Sequence, residues 1–93
     1  MENIINNTDK LCDFLKKMII DTLRLEDVAV EDIETDAPLF RDGLGLDSID
    51  ALELVVAIEK VFQVIIEDED VGRKAFASVR ALAEFIQQEK RNQ

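Results

Sequence analysis

Ser48 stands between Asp47 and Asp50 at a point that the sequence marks as the start of a helix, just after the run Gly43-Leu44-Gly45-Leu46. Asp47 is the natural N-cap, because its carboxylate can accept from the free amides of the first turn, and Asp50 adds negative charge where the helix dipole favours it. Ser48 then falls inside the first turn with its hydroxyl on the outside. A phosphate ester formed there is expected to sit near unpaired backbone amides at the positive end of the helix. The chain has no His, so this hydroxyl has no ring base beside it, and covalent chemistry at it has to be performed by another enzyme. Serine near a helix start is common for capping reasons alone. The second serine, Ser78, is read as such a cap.

Other chemistries fare worse. With no His, Trp or Tyr and a single Cys, the chain lacks the usual zinc ligand set and the aromatic platforms that stack bases. The acids near Gly43 and at Glu67-Asp68-Glu69-Asp70 invite a calcium reading, but an EF-hand needs oxygen ligands at alternate positions. Counting from Asp42 those positions are Leu44 and Leu46; counting from Glu67, Gly72 falls sixth but Arg73, Lys74 and a twelfth-position Ser78 follow. No metal is expected. Cys12 lies near an apolar stripe and reads as a small buried hydrophobe, since no activating cation pair adjoins it. Autonomous catalysis is not expected, and the chain is read as a non-enzyme.

Ninety-three residues leave room for one core, and with 47% hydrophobic and 34% charged residues that core can spare little volume for a deep cavity. One domain over 1–93 is expected, with flexible ends at 1–7 and 88–93. The formal charge is −10, which opposes binding to nucleic acid or anionic lipid and favours partners with basic surfaces. The charge is uneven: residues 26–70 hold fifteen acids against Arg41 and Lys60, while the remainder is net positive. Acids alone often mean no more than a solvated face; here they gather beside one serine. One cysteine makes no internal disulfide, no basic segment precedes a long apolar run, and no stretch approaches about 18 apolar residues. The expectation is a cytoplasmic, monomeric protein without a membrane span.

The elements that must position Ser48 are helices. Over 8–25, Leu11, Leu15, Met18, Thr22 and Leu25 recur at helical steps, flanked by Phe14 and Ile19, with Asn7 or Thr8 as N-cap. Glu26-Asp27 is unfavourable at a helix C-terminus, so the helix has ended by then. Residues 26–47 form a long connection pinned by Val28, Val30, Ile33, Leu39, Phe40, Leu44 and Leu46. The second helix runs from 47 to about 62. A weaker segment over 68–75 is read as a short helix interrupted at Gly72, and Ser78 caps a last helix over 79–89 with Val79, Leu82, Ala83, Phe85 and Ile86 as its stripe. Val64-Ile65-Ile66 is too short to found a sheet. The fold class is all-α: a small four-helix bundle of three long helices and one short one, with a long loop between the first and second.

At about 100° per residue, the second helix turns Ala51, Leu54, Val55, Ile58, Val61 and Phe62 to the core. Its other side carries Ile49, Leu52, Glu53, Val56, Glu59 and Lys60, apolar groups interleaved with acids. Such a face suits a partner that offers a hydrophobic notch with Arg or Lys around it; the plain alternative is that Ile49 and Leu52 bury against the long loop.

Leu39-Phe40-Arg41-Asp42-Gly43-Leu44-Gly45-Leu46-Asp47-Ser48-Ile49-Asp50-Ala51-Leu52-Glu53-Leu54 resembles the phosphopantetheine attachment region of acyl carrier proteins, whose core is Gly-x-Asp-Ser-Leu followed by an acidic, apolar helix. The order and lengths of the helices match that family over nearly the whole chain. The resemblance implies that Ser48 carries 4′-phosphopantetheine, with Asp47 beside it. Its thiol then holds acyl intermediates as thioesters for partner enzymes of fatty-acid, polyketide or related lipid biosynthesis. It implies a phosphopantetheinyl transferase and acyl-loading and acyl-processing enzymes with basic patches as partners, and Asp47, Ile49, Leu52, Glu53, Val56 and Glu59 as the recognition face. Ile49 stands where Leu is usual, Lys60 interrupts the acidic helix, and residues 87–93 form a tail without an evident job. Together with Phe76-Ala77-Ser78-Val79-Arg80-Ala81-Leu82, the motif is similar to stand-alone carriers of accessory fatty-acid, polyketide or aryl-polyene pathways. A bundle of this kind can part its helices around an acyl chain, with Val55, Ile58, Phe62, Val71 and Phe76 as the expected lining. Two rivals share most of these features: an unmodified acidic helical adaptor, and a carrier of aminoacyl or peptidyl cargo.

Overall fold

Short polar side chains start the helices, and each does so by a bond within its own turn. The computed structural model describes residues 2–39 and 47–92, which form α1 (Glu2–Ile5), α2 (Thr8–Leu23), α3 (Ser48–Phe62), α4 (Glu69–Ala75) and α5 (Val79–Arg91), with a 3₁₀ turn over Val30–Asp32. No strand occurs among the described residues. Asn7 Oδ1 accepts from Lys10 N at 3.1 Å, Asp68 Oδ1 from Val71 N at 2.9 Å and Ser78 Oγ from Ala81 N at 3.0 Å. Each satisfies one of the amides that a helix start leaves unpaired. The anchors expected at Phe40, Leu44 and Leu46, and the approach through Gly43-Leu44-Gly45-Leu46, lie outside the described residues.

α2 ends at Leu23, two residues before the last apolar position of its stripe. Arg24 turns left-handed (φ 54°) and its N–H returns to Ile20 O. Leu25, whose N–H also reaches Ile20 O at 3.0 Å, folds back half-buried, as the hydrophobic residue after such a terminus commonly does. Gln63 ends α3 the same way, at φ 57°, with its N–H on Glu59 O. Beyond it Val64 is buried, Ile65 exposed and Ile66 half-buried, in neither helix nor strand.

Gly72 does not interrupt α4. Its N–H donates to Asp68 O at 3.0 Å, and its carbonyl accepts from Phe76 N at 2.9 Å, so the hydrogen-bond ladder passes through it. The Asp68 cap and the buried Phe76 and Ala75 just beyond hold the segment against glycine's poor helix propensity. A Cβ at this position would meet only Ile66 Cγ2, at 3.6 Å, an ordinary contact. Gly72→Ala is therefore expected to stabilise the protein by roughly 0.5–1 kcal/mol, read as a higher midpoint in urea. An unchanged or lower midpoint would show that α4 needs the glycine for another reason.

The core lies where α2, α3 and α5 meet. Leu11, Leu15 and Ile19 of α2, Leu54 and Ile58 of α3, and Leu82 and Ile86 of α5 are fully buried. Phe14 packs edge-on against Phe62 with ring centroids 5.7 Å apart, a favoured aromatic geometry. Ile33 and Leu39 are buried and Val28 and Val30 half-buried, so the connection after α2 is pinned to this core. Two residues expected on its α3 face are not in it: Ala51 is only half-buried, and Val61 lies further out. Val61 is 37% exposed: a stripe wide enough to include it is wider than the face α3 buries, which Leu54, Ile58 and Phe62 occupy.

The chain ends hold two further surprises. Residues 2–5, expected within a flexible end, form the helical turn α1, and Ile4 and Ile5 pack against the core. The last residues, for which the sequence suggests no job, tie two helix ends together. Gln87, buried, donates through Nε2 to Ile5 O at 2.8 Å and to Thr8 Oγ1 at 3.1 Å, and Lys90 Nζ donates to Phe62 O at 3.1 Å. α5 itself runs to Arg91, with Lys90 and Arg91 in the last turn, where the dipole favours cations. Gln87→Glu keeps the shape and removes both donors, setting a carboxylate against the Ile5 carbonyl. It is expected to cost about 1–3 kcal/mol at neutral pH, less in mild acid, where the carboxyl protonates and can donate again. Equal stability of the two proteins at pH 7 would mean that these bonds do not form.

Candidate functional site on the third helix

Asp47 is the hinge of this site. Its Oδ1 accepts from Ile49 N and from Asp50 N, both at 3.0 Å, while Asp50 Oδ2 accepts from Asp47 N at 3.1 Å. This reciprocal capping box fixes the first turn of α3. Ser48, the first helical residue, is exposed and stays outside the cap. The cap falls on Asp47, where the sequence places it. The amides of Ile49 and Asp50 are not available to a phosphate, because Asp47 already holds them. A phosphate on Ser48 would feel the helix dipole and stand near the carboxylates of Asp47 and Asp50. The exposed hydroxyl is open to covalent modification.

α3 divides into two faces. Leu54, Ile58 and Phe62 are buried, whereas Ile49, Leu52 and Val56 are 69%, 64% and 42% exposed. Those three lie at i, i+3 and i+7 and so form one stripe, flanked by the exposed carboxylates Glu53 and Glu59, with exposed Lys60 near the end. Ile49 and Leu52 are thus not consumed by the protein's own packing. All of Asp47, Ser48, Ile49, Leu52, Glu53, Val56 and Glu59 fall on this one outward surface, along about 20 Å of helix at 1.5 Å per residue. Of the residues expected to line an acyl pocket, Ile58, Phe62 and Phe76 are buried, and Val55 and Val71 half-buried.

Burial pushes the Cys12 thiol above its ordinary range, against the weaker pull of Arg80 and Lys16. A protonated, 3% exposed thiol is a poor nucleophile. Among the described residues no three carboxylates or thiols gather as a metal site, and no helix is long and apolar enough to cross a membrane.

Sequence reasoning missed Arg80. Its guanidinium pairs with the carboxylate of Asp36, and that hydrogen bond and charge raise its pKa further above the usual arginine range. Its N–H donates to Thr35 O at 3.0 Å. Forty-four positions separate the charged partners, and nothing local to either residue signals the pair.

Comparison with known proteins bears on this surface. The family described as Phosphopantetheine attachment site matches residues 13–86, a span from the second turn of α2 to the middle of α5. No solved structure matches the chain. Domains of that family are sites of covalent 4′-phosphopantetheine attachment, which is the use to which an exposed, uncommitted serine at a rigid helix start is suited. With the match covering most of its length, the chain belongs to the phosphopantetheine attachment-site family, the family of the acyl carrier proteins.

Proposed function

We propose that Ser48 bears the 4′-phosphopantetheine arm and that the protein is a cytoplasmic, monomeric acyl carrier without catalytic activity of its own. It would serve fatty-acid, polyketide or related lipid biosynthesis. One observation supports Ser48 above all. The chain has two serines; the Ser78 hydroxyl is engaged as a helix cap and half-buried, and the Ser48 hydroxyl is exposed and outside its cap. The arm supplies a terminal thiol that holds the acyl group as a thioester.

In this reading the chain's own residues do three things. Asp47 and Asp50 lock the turn that presents Ser48. Ile49, Leu52 and Val56 offer an apolar strip to the transferase and to acyl-loading and acyl-processing enzymes. Asp47, Glu53 and Glu59 draw basic patches to it and turn acidic ones away.

The cargo is tested on protein purified from its native cells. Intact mass before and after neutral hydroxylamine, which cleaves thioesters, is expected to show a loss equal to one acyl group from a species that keeps the arm. An aminoacyl or peptidyl loss in its place would move the protein to another biosynthetic class. A chain that never carries the arm would be an adaptor.

A further inference from the structure

We infer that Arg80 is a positioning residue for the loading of Ser48: it clasps residues 33–39, in the first part of the connection after α2, onto the start of α5. This rests on the reading of Ser48 proposed above.

The clasp has two parts. The Arg80 N–H is one of the first-turn amides that α5 cannot pair internally, and it donates to Thr35 O at 3.0 Å. The guanidinium meets Asp36 with two nitrogens, Nε on Oδ1 and Nη2 on Oδ2 at 3.5 Å, the forked arrangement in which arginine fixes direction as well as charge. Ile33 and Leu39, buried at 3% and 0% exposure, plug the core on either side. Residues 33–39 are therefore held by two apolar anchors with a charged clasp between them.

Two features connect this clasp to Ser48. The first is placement. Lys90 in the last turn of α5 bonds the carbonyl of Phe62 at the end of α3, so those two helix ends meet, and both helices begin away from that shared end. Ser48 and Arg80 each sit at such a beginning, and the clasped segment leads in the chain toward Asp47. The second is electrostatic. Glu31, Asp32, Glu34 and Asp36 crowd one short exposed stretch, where like charges favour a splayed backbone. Arg80 comes from outside the acidic stretch to oppose this. Its side chain is 43% exposed, so solvent screens the pair and its loss should leave the fold standing. What residues 33–39 would lose is order, and a segment freed in this way has to be ordered again when a partner docks across this end of the molecule.

The test is loading by a phosphopantetheinyl transferase with coenzyme A, following KM and kcat separately. Arg80→Ala is expected to raise KM by roughly five- to thirtyfold, the factor for re-ordering about one residue of backbone on binding, with kcat little changed. The direction is informative, because this substitution makes the protein more acidic and on net charge alone would improve its attraction to a basic enzyme. Arg80→Lys keeps the charge without the fork and should fall between. The exchange Asp36→Arg with Arg80→Asp preserves net charge and should restore most of the lost KM. An unchanged KM in Arg80→Ala, or an exchange variant as impaired as the single one, overturns the proposal.

Should Arg80→Ala melt below the assay temperature, Asp36→Asn, which removes only the charge, carries the same expectation and the same refutation. If wild type itself accepts no arm, the reading of Ser48 has failed and the clasp is judged by amide hydrogen exchange. Faster exchange over residues 33–39 in Arg80→Ala upholds it, and unaltered exchange removes it.

Discussion

Ser48→Ala is expected to accept no phosphopantetheine under conditions in which wild type takes up one per chain. The effect is all-or-none because the arm is held by a single phosphoester oxygen, and alanine has none to offer. The variant should fold normally. Asp47 keeps its bonds to the amides of Ile49 and Asp50, alanine is a good helix former at the first turn, and an exposed substitution of this kind changes stability by no more than about 0.5 kcal/mol. Matched melting curves therefore separate loss of the site from loss of the fold. Ser78 does not substitute, since its hydroxyl is occupied by Ala81 N and half-buried. Intact mass after incubation with coenzyme A and a broad-specificity transferase reads the result. A variant loaded as fully as wild type would place the arm elsewhere and empty the proposed site of its meaning.

Phe62→Ala should be the most damaging single change to the scaffold, at about 3–5 kcal/mol out of a total that for a domain of this size is roughly 5–14 kcal/mol. Phe62 is 2% exposed, its ring meets Phe14 edge-on, and its carbonyl accepts from Lys90. Truncation opens a cavity between α2 and α3, and the aromatic contact, worth about 0.5–1.5 kcal/mol beyond area, goes with it. Phe62→Leu refills most of the volume and should cost distinctly less. Urea unfolding at one pH gives both values on a common scale. Equal losses from the two variants, or a loss under about 1 kcal/mol from alanine, would mean that this corner is not packed as described. Because Ser48 lies at the opposite end of α3, the surviving folded fraction of Phe62→Ala should still accept the arm.

Local physics was legible in the residues. Asp47 and Ser78 stand out as caps from sequence, and the first helix's cap is narrowed to Asn7 or Thr8, because a cap bond spans two or three positions; Asp47, Ser78 and, of that pair, Asn7 make that bond in the structure. Leu54, Ile58 and Phe62 against Ile49, Leu52 and Val56 is a separation that helical periodicity alone dictates, and the attachment motif around Ser48 is a contiguous string. Where periodicity was pressed beyond its resolution it failed: Val61 sits at the margin of the buried stripe, where a few degrees of rotation decide exposure. Gly72 shows propensity losing to context, since the Asp68 cap and the buried residues after it carry α4 through a residue that disfavours helix.

What only the tertiary structure decided is the set of contacts between distant positions. Gln87 reaches back to Ile5 and Thr8, Lys90 to Phe62 and Arg80 to Asp36. A glutamine or arginine on a helix surface carries no mark of its partner, because the bond depends on how whole helices cross rather than on the neighbours in the chain.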